Sequence, residues 1–317
     1  MCGIAGYFAF NTTRPTVEEL SLLWQLLEAR GQSAHGAAWL TTAGLDVYKA
    51  PGPISRGLDA IPWSCIQAAP SVLLHTRAAT KGTPSDNRNN HPLHTTDVAI
   101  IHNGVILNDE HVCDTAGWIR QAEVDSEAIL AAFAVESESS PKALKWLGQH
   151  ARGSWAVGVL MAKARTLTIT RNAGAPCYIV EDPTRELFWF ASTADILGQL
   201  QLQWHGLRLK PRPLPTYMAY VAHPEGQVTT HNIMPEKSKL LTVPTTSTPA
   251  WTVRRTPGHT KVTTTPYSHE GPGRRTTLSI ACARCNGTTY HAVVYPDHHA
   301  VCSWCLERIF IPKEDSP

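Results

Sequence analysis

An α+β core carrying a small cysteine-rich tail is the fold predicted by three features of this 317-residue chain. Short apolar strands alternate with amphipathic helices over the first 235 or so residues. Residues 236–277 abandon that pattern for threonine and proline, and two Cys-x-x-Cys pairs follow. The length suits one large domain plus a small one, or two modest domains. Apolar residues make up 43%, charged residues 17%, and the net charge is +2, which excludes an overall basic nucleic-acid binder. No stretch approaches the roughly 20 uninterrupted apolar residues of a membrane span. The N-terminus lacks a charged segment before an apolar one, so no signal peptide is expected. Eight cysteines without a secretion signal then point to free thiols and metal ligands in a reducing compartment, the cytoplasm.

The elements follow in order. Gly3–Phe10 alternates small and apolar residues and reads as a buried strand. Thr16 and Glu19 form a capping box, after which Leu20, Leu23, Trp24 and Leu27 recur at helical spacing until Arg30-Gly31 stops the helix. Ser71–His75 and Val98–His102 are short strands. An Asn103-Gly104 turn follows the second, because both residues tolerate positive φ. Ser126–Val135 is a helix with Ile129, Leu130 and Phe133 on one face, and Asp125 stands where an N-cap would. Trp155–Met161, Thr166–Arg171 and Leu187–Ala191 are further strands.

The segment 236–277 holds 12 threonines and 5 prolines, with 7 Lys/Arg against 2 acids. It reads as a basic linker, solvated or touching nucleic acid or an acidic partner. Beyond it, Cys282-Ala283-Arg284-Cys285 and Cys302-Ser303-Trp304-Cys305 enclose 16 residues. That spacing is a strong zinc signal: four thiolates around a tetrahedral ion, each pair on a tight knuckle. With Thr288–Tyr295 as a strand between them, residues 278–317 are expected to form a zinc ribbon. Its Zn²⁺ is structural, because so short a module cannot bury enough core to fold alone. Three Lys/Arg against four acids over 278–317 leave the ribbon itself without positive charge, so docking a protein competes with nucleic-acid contact. Cys65, Cys113 and Cys177 are isolated and read as packing residues.

Cys2 carries the sharpest chemistry. Removal of Met1 before so small a residue leaves an amine and a thiol one side chain apart. The α-amine titrates at about 7.7–8.0, near working pH, and can serve as the base that makes the thiolate. Alone, Cys2 reads as a small residue leading a strand. Other segments reverse that reading: His75-Thr76-Arg77-Ala78-Ala79-Thr80-Lys81-Gly82, then Asn90-His91-Pro92, Ile101-His102-Asn103-Gly104, Asp125-Ser126-Glu127, and Arg30-Gly31 with Gly36.

Together with Cys2-Gly3-Ile4, and in this order, these motifs resemble the glutaminase domain of class II glutamine amidotransferases over roughly residues 2–233. The resemblance implies an N-terminal-nucleophile, four-layer αββα sandwich. It also implies a role for each residue. Cys2 is the nucleophile, while the Asn103 carboxamide and Gly104 N–H form the oxyanion hole. Arg77 captures glutamine's α-carboxylate and Asp125 its α-ammonium. Arg30 braces the N-terminal turn, and Thr80, Gly82, His91 and Pro92 shape the loop around the substrate. Relatives usually carry an acid where Ser33 stands, an aromatic residue in place of Ala78 and an acid in place of Thr193, which marks a divergent member.

The expected reaction is hydrolysis of glutamine to glutamate and ammonia, with no cofactor for that step. No ATP-pyrophosphatase loop or phosphoribosyl-diphosphate motif accompanies it, and the remaining residues are too few for a sugar isomerase domain. Ammonia is therefore expected to pass in trans to an acceptor synthase, with nucleotide, deazapurine or DNA-base modification as a setting. The competing expectations are an amidohydrolase acting on another γ-glutamyl amide, and a catalytically silent binding or regulatory protein.

Overall fold

The strands are apolar on both faces because each sheet is covered on both sides. In the computed structural model, which describes residues 1–203 and 209–235 plus the backbone of four short strands farther on, the chain divides into two compact units, Met1–Glu236 and Lys237–Pro317. Among the described residues no helix is long and apolar enough to cross a membrane.

The first unit opens with β1 (Gly3–Ala9), buried along its whole length. α1 (Val17–Glu28) follows, started by the expected capping box: Thr16 Oγ1 accepts from Glu19 N at 3.2 Å and a Glu19 carboxylate oxygen accepts from Thr16 N at 2.8 Å. A hairpin, β2 (Ala34–Thr41) and β3 (Gly44–Pro51), leads through α2 (Trp63–Ala68) into β4 (Ser71–Arg77). Next come β5 (Leu93–His94) and β6 (Val98–Ile106), then α3 (Asp109–Thr115), α4 (Glu127–Val135) and α5 (Ser140–His150). β7 (Gly153–Met161), β8 (Thr166–Arg171), β9 (Tyr178–Asp182) and β10 (Leu187–Ala191) precede α6 (Ala194–Leu200). The unit closes with β11 (Arg212–Pro213), β12 (Met218–Ala222) and β13 (Val228–Asn232).

Two antiparallel sheets result, one in the order β11-β9-β10-β1-β4-β2-β3 and the other β13-β12-β8-β7-β6-β5. Strand alternation sorts their side chains into three cores. Ala5, Tyr7, Val72 and Leu74 face Leu20, Leu23, Trp24 and Leu27 of α1. Ile4, Phe8, Leu73 and Phe190 meet Ala99, Ile101, Leu160 and Ile169 between the sheets. Ile100, Trp155 and Val159 pack on Ile129, Ala132, Leu144 and Leu147 of α4 and α5. Helices, sheet, sheet and helices therefore stack as a mixed sandwich, with β1 and β4 inner strands of one sheet and β7 and β8 central in the other, β6 lying beside β7.

The sequence pattern places a turn at Asn103-Gly104, and the structure corrects it. Both residues lie inside β6, paired with Ala156 and Trp155 of β7. Backbone pairing on a long neighbouring strand outweighs the local turn propensity of the dipeptide, and the positive φ of Gly104 (+144°) is absorbed without reversing the chain. Of the strand expected at Thr288–Tyr295, only residues 288–289 and 292–294 are described, and both are strand. β14 (Ile280–Ala281) pairs with β15 (Thr288–Thr289), while β16 (Ala292–Val294) pairs with β17 (Ala300–Cys302). The expected linker, 236–277, and three of the four proposed zinc ligands, Cys282, Cys285 and Cys305, lie outside the described residues. For Cys302 only the backbone of β17 is described.

Candidate active site

One end of the space between the sheets collects the residues that the sequence singles out. In β1, Ile4 and Phe8 point between the sheets, and Cys2 continues that row. β1 pairs with β4 as Gly3↔Thr76, so the same register places Cys2 opposite Arg77. Arg77 in turn continues the inter-sheet row of Leu73 and His75. On the other sheet Asn103, 2% exposed, continues the row of Ala99 and Ile101. Strands β4 and β6 and the residue just ahead of β1 thus bring a guanidinium, a carboxamide and a thiol to one end of one layer.

Cys2 is half-buried, and its Sγ lies 3.8 Å from the Ala78 carbonyl oxygen. Burial raises its thiol above the ordinary value, the chain-terminal amine and Arg77 pull it back down, and the Asp125 charge adds to the rise. Such a thiol stays protonated until a base takes its proton. Arg30 donates from Nε to the Cys2 carbonyl at 3.0 Å and so holds the turn that presents the thiol.

Arg77 is held by its own loop. Nη1 donates to Asn90 Oδ1 at 2.8 Å, and Nη2 donates to the carbonyls of Lys81 and, at 2.9 Å, Gly82. These bonds leave Nε–H and one Nη1 hydrogen for a ligand. Burial lowers its basicity, while Cys2, Asp125 and Glu123 favour the charge. Gly82 has φ +70°, and a Cβ there would come 2.6 Å from Asn89 Cγ, so glycine is required where the loop turns back. Thr80 is exposed on the same loop.

Asp125 does not cap α4. Its Oδ2 accepts from Ile106 N at 2.6 Å, which ties it to the end of β6 instead. The N-cap position belongs to Ser126, whose hydroxyl is committed to His102 Nδ1 at 2.8 Å and makes no capping bond. Gly104 cannot carry a side chain: a Cβ would lie 2.0 Å from the Ser154 carbonyl oxygen.

Beneath these groups His75, His91 and His102 form a buried cluster, with ring centroids 4.3 Å apart for His75–His91 and 6.5 Å for His91–His102. Burial lowers all three below the ordinary histidine value, His75 to about 3, so the rings are neutral. His75 Nε2 meets the His102 carbonyl at 3.1 Å, and neither ring nitrogen of His91 has a hydrogen-bond partner among the described residues. No group of three or more metal-ligating side chains that could hold a metal occurs among the described residues.

Sequence reasoning passed over Asp109, Arg120 and Asn89. Lys81 and Asn90 stood within the quoted motifs without a role. Asp109 accepts from Lys81 Nζ and Arg120 Nη1, at 3.1 and 2.8 Å. Burial pushes its carboxyl up, but the hydrogen bonds and charges of Arg120 and Lys81 outweigh that and hold it below the usual aspartate value. An aspartate beginning a helix looks like an ordinary first-turn acid, so only its tertiary partners reveal it.

Two facing antiparallel sheets between helical layers define the class of fold, a mixed α/β sandwich, with a thiol just ahead of an inner strand. Comparison with known proteins agrees. Residues 75–199 match the family model of the glutamine amidotransferase domain. Over 168 residues the chain is 36% identical to the glutamine–fructose-6-phosphate aminotransferase (isomerizing) of Thermus thermophilus, a match covering 50% of this chain and 26% of that protein. The enzyme of the same name from Chlamydia trachomatis is 33% identical over 169 residues, 50% of this chain and 27% of that protein. Among solved structures, the glutamine phosphoribosylpyrophosphate amidotransferase of B. subtilis, complexed with ADP and GMP, superimposes with a TM-score of 0.58 at 16% identity. That match covers 73% of this chain and 49% of that one, and it speaks to the fold. Residues 75–199 are thus similar to a glutamine amidotransferase domain, and the chain spans about a quarter of the length of the curated relatives it matches.

Proposed function

We propose that this chain hydrolyses glutamine to glutamate and ammonia through an N-terminal cysteine nucleophile and supplies the ammonia to an acceptor enzyme in trans. The observation that carries the reading is the position of Cys2, at the head of a central strand opposite Arg77 and within the electrostatic reach of Asp125. After removal of Met1, the Cys2 α-amine takes the thiol proton. The thiolate attacks the γ-carboxamide carbon of glutamine, and the resulting oxyanion is held by the Asn103 carboxamide and Gly104 N–H. The protonated amine donates to the departing nitrogen, which leaves as ammonia, and a γ-glutamyl thioester remains. Water, deprotonated by the same amine, cleaves the thioester to glutamate and regenerates the thiol. Arg77 and Asp125 hold the α-carboxylate and α-ammonium, one group of each sign for a zwitterion.

The tail is proposed to be a zinc ribbon, with Cys282, Cys285, Cys302 and Cys305 as thiolate ligands around a structural Zn²⁺ that docks the acceptor; the support is their spacing. The basic linker before it supports an acceptor that works on nucleotides or nucleic-acid bases.

One experiment tests the reading. The full chain, its Cys2→Ser variant and a chain ending at Glu236 are assayed for glutamine hydrolysis, with N-terminal processing checked by mass spectrometry and zinc counted. Hydrolysis is expected in the processed full chain and in the shortened one, absent from Cys2→Ser, with one zinc per full chain. Full turnover by protein that retains Met1 would refute the amine-base mechanism, and zinc-free full chain would refute the ribbon.

A further inference from the structure

The two ends of the substrate clamp sit on separate segments, Arg77 at the end of β4 and Asp125 ahead of α4. We propose that Asp109, the first residue of α3, is the positioning residue that sets the distance between them, a role that rests on the glutaminase reading above. Its carboxylate is 4% exposed and is bound from both sides. On one side Lys81 Nζ donates to Oδ1 at 3.1 Å and lies 3.3 Å from Oδ2. The Lys81 carbonyl is itself an acceptor for Arg77 Nη2, so the residue that orients the arginine is anchored by Asp109. On the other side Arg120 Nη1 donates to Oδ2 at 2.8 Å. The same guanidinium donates from Nη2 to the Val124 carbonyl at 2.9 Å, one residue before Asp125, and its Nε lies 3.4 Å from Glu127 Oε2 in the first turn of α4.

The path from one end of the clamp to the other is therefore Arg77, Lys81, Asp109, Arg120, Val124 and Asp125. A second bridge runs alongside it. Asn89 Nδ2 donates to the Thr83 carbonyl and to Glu123 Oε2, both at 3.3 Å, and Asn89 Oδ1 accepts from Glu123 N at 2.9 Å. Exposed ion pairs contribute little because water screens them and both side chains lose freedom. Asp109 differs because it is buried and serves two cations, so loss of its charge removes the acceptor they share. A rigid spacer suits this clamp, since a zwitterion gains from both charges only when their separation matches its own.

Asp109→Asn keeps the shape of the side chain and removes the charge. The expected result is a rise in KM for glutamine of roughly tenfold, modest against the hundredfold that about 1 Å of misplacement costs, with kcat within about twofold. Lys81→Gln, at a half-exposed position, should raise KM less, and Lys81→Arg should restore it. Because Asp109 acts through the clamp, its substitution should add little in an Asp125→Ala background. Wild-type KM in both Asp109→Asn and Lys81→Gln overturns the proposal, as does full additivity with Asp125→Ala. If Asp109→Asn fails to fold, Lys81→Gln and its rescue by arginine decide alone. Absence of Cys2-dependent hydrolysis in the wild type would instead remove the glutaminase reading, and the clamp with it.

Discussion

Asn103 and Arg77 end neighbouring inter-sheet rows, yet the proposed mechanism assigns them to different parts of a bound glutamine. Arg77 is oriented by Asn90, Lys81 and Gly82, and in that mechanism it takes the end of the substrate that does not react. Its charge contributes equally to ground and transition states, so Arg77→Ala and Asp125→Ala should raise KM and leave kcat nearly unchanged. In the proposed mechanism Asn103 meets charge that exists only once the thiolate has attacked, so Asn103→Ala should lower kcat by roughly 10²-fold with little change in KM. Steady-state kinetics on the three variants separates the two behaviours, and an unchanged kcat for Asn103→Ala would contradict its assignment. Motif order singled these residues out as candidates. Their partners were not, because Asn90, Lys81 and Asp109 look like ordinary loop and helix-start residues until the chain is folded.

Strand β6 shows how a local signal can be read correctly in chemistry and wrongly in geometry. Asn-Gly favours a two-residue turn, but here the ladder to β7 runs through both residues from Val98↔Met161 to Ile106↔Gly153. What remains of the turn signal is the φ of +144° at Gly104 and its approach to Ser154. Gly104→Ala is therefore expected to do two kinds of harm. Backbone strain of about 1–3 kcal/mol applies wherever a side chain is forced into such a conformation. The Cβ would also collide with the Ser154 carbonyl, disturbing the pairing of Asn103 and Gly104 with β7. Gly44→Ala supplies the control, since Gly44 has φ +147° with nothing within 4 Å of an added Cβ. Urea unfolding should show a larger loss for Gly104→Ala than for Gly44→Ala, and only the former should lose turnover. Equal losses with activity intact would mean that β6 tolerates the shift. α1 is the opposite case: Thr16, Glu19 and the leucine spacing are local signals, and the folded helix obeys all of them.

At the scale of the whole molecule, the four layers bury three histidines where neutral rings alone are tolerated. The folded-state values of His75, His91 and His102 lie below their unfolded value near 6.5, His75 at about 3. Between those limits the unfolded chain binds more protons, so stability rises with pH there. Their contribution is complete above about pH 6.5 and is lost as pH falls toward the folded values, by up to about 1.4 kcal/mol per pH unit for each ring. Urea midpoints measured from pH 8 to pH 5 should fall below pH 6.5, and His91→Gln should flatten the decline. A stability flat to pH 5 would show that the cluster is hydrated and titrates normally.

Composition, period and motif order were enough to read β1, β4, β6, β7, β8, β10, α1 and α4 of the first unit and to single out Cys2 and the residues proposed to act with it. Each of those signals is carried by neighbours in the chain: apolar alternation, a capping pair, a cysteine beside a future amine. The folded chain decided the rest. Asp125 turned out to serve Ile106 rather than its own helix, Asn103-Gly104 became strand, and Asp109 acquired Lys81 and Arg120 from 28 and 11 residues away. Such choices depend on which buried polar group lacks a partner once layers stack, and that competition has no counterpart in the linear order of residues.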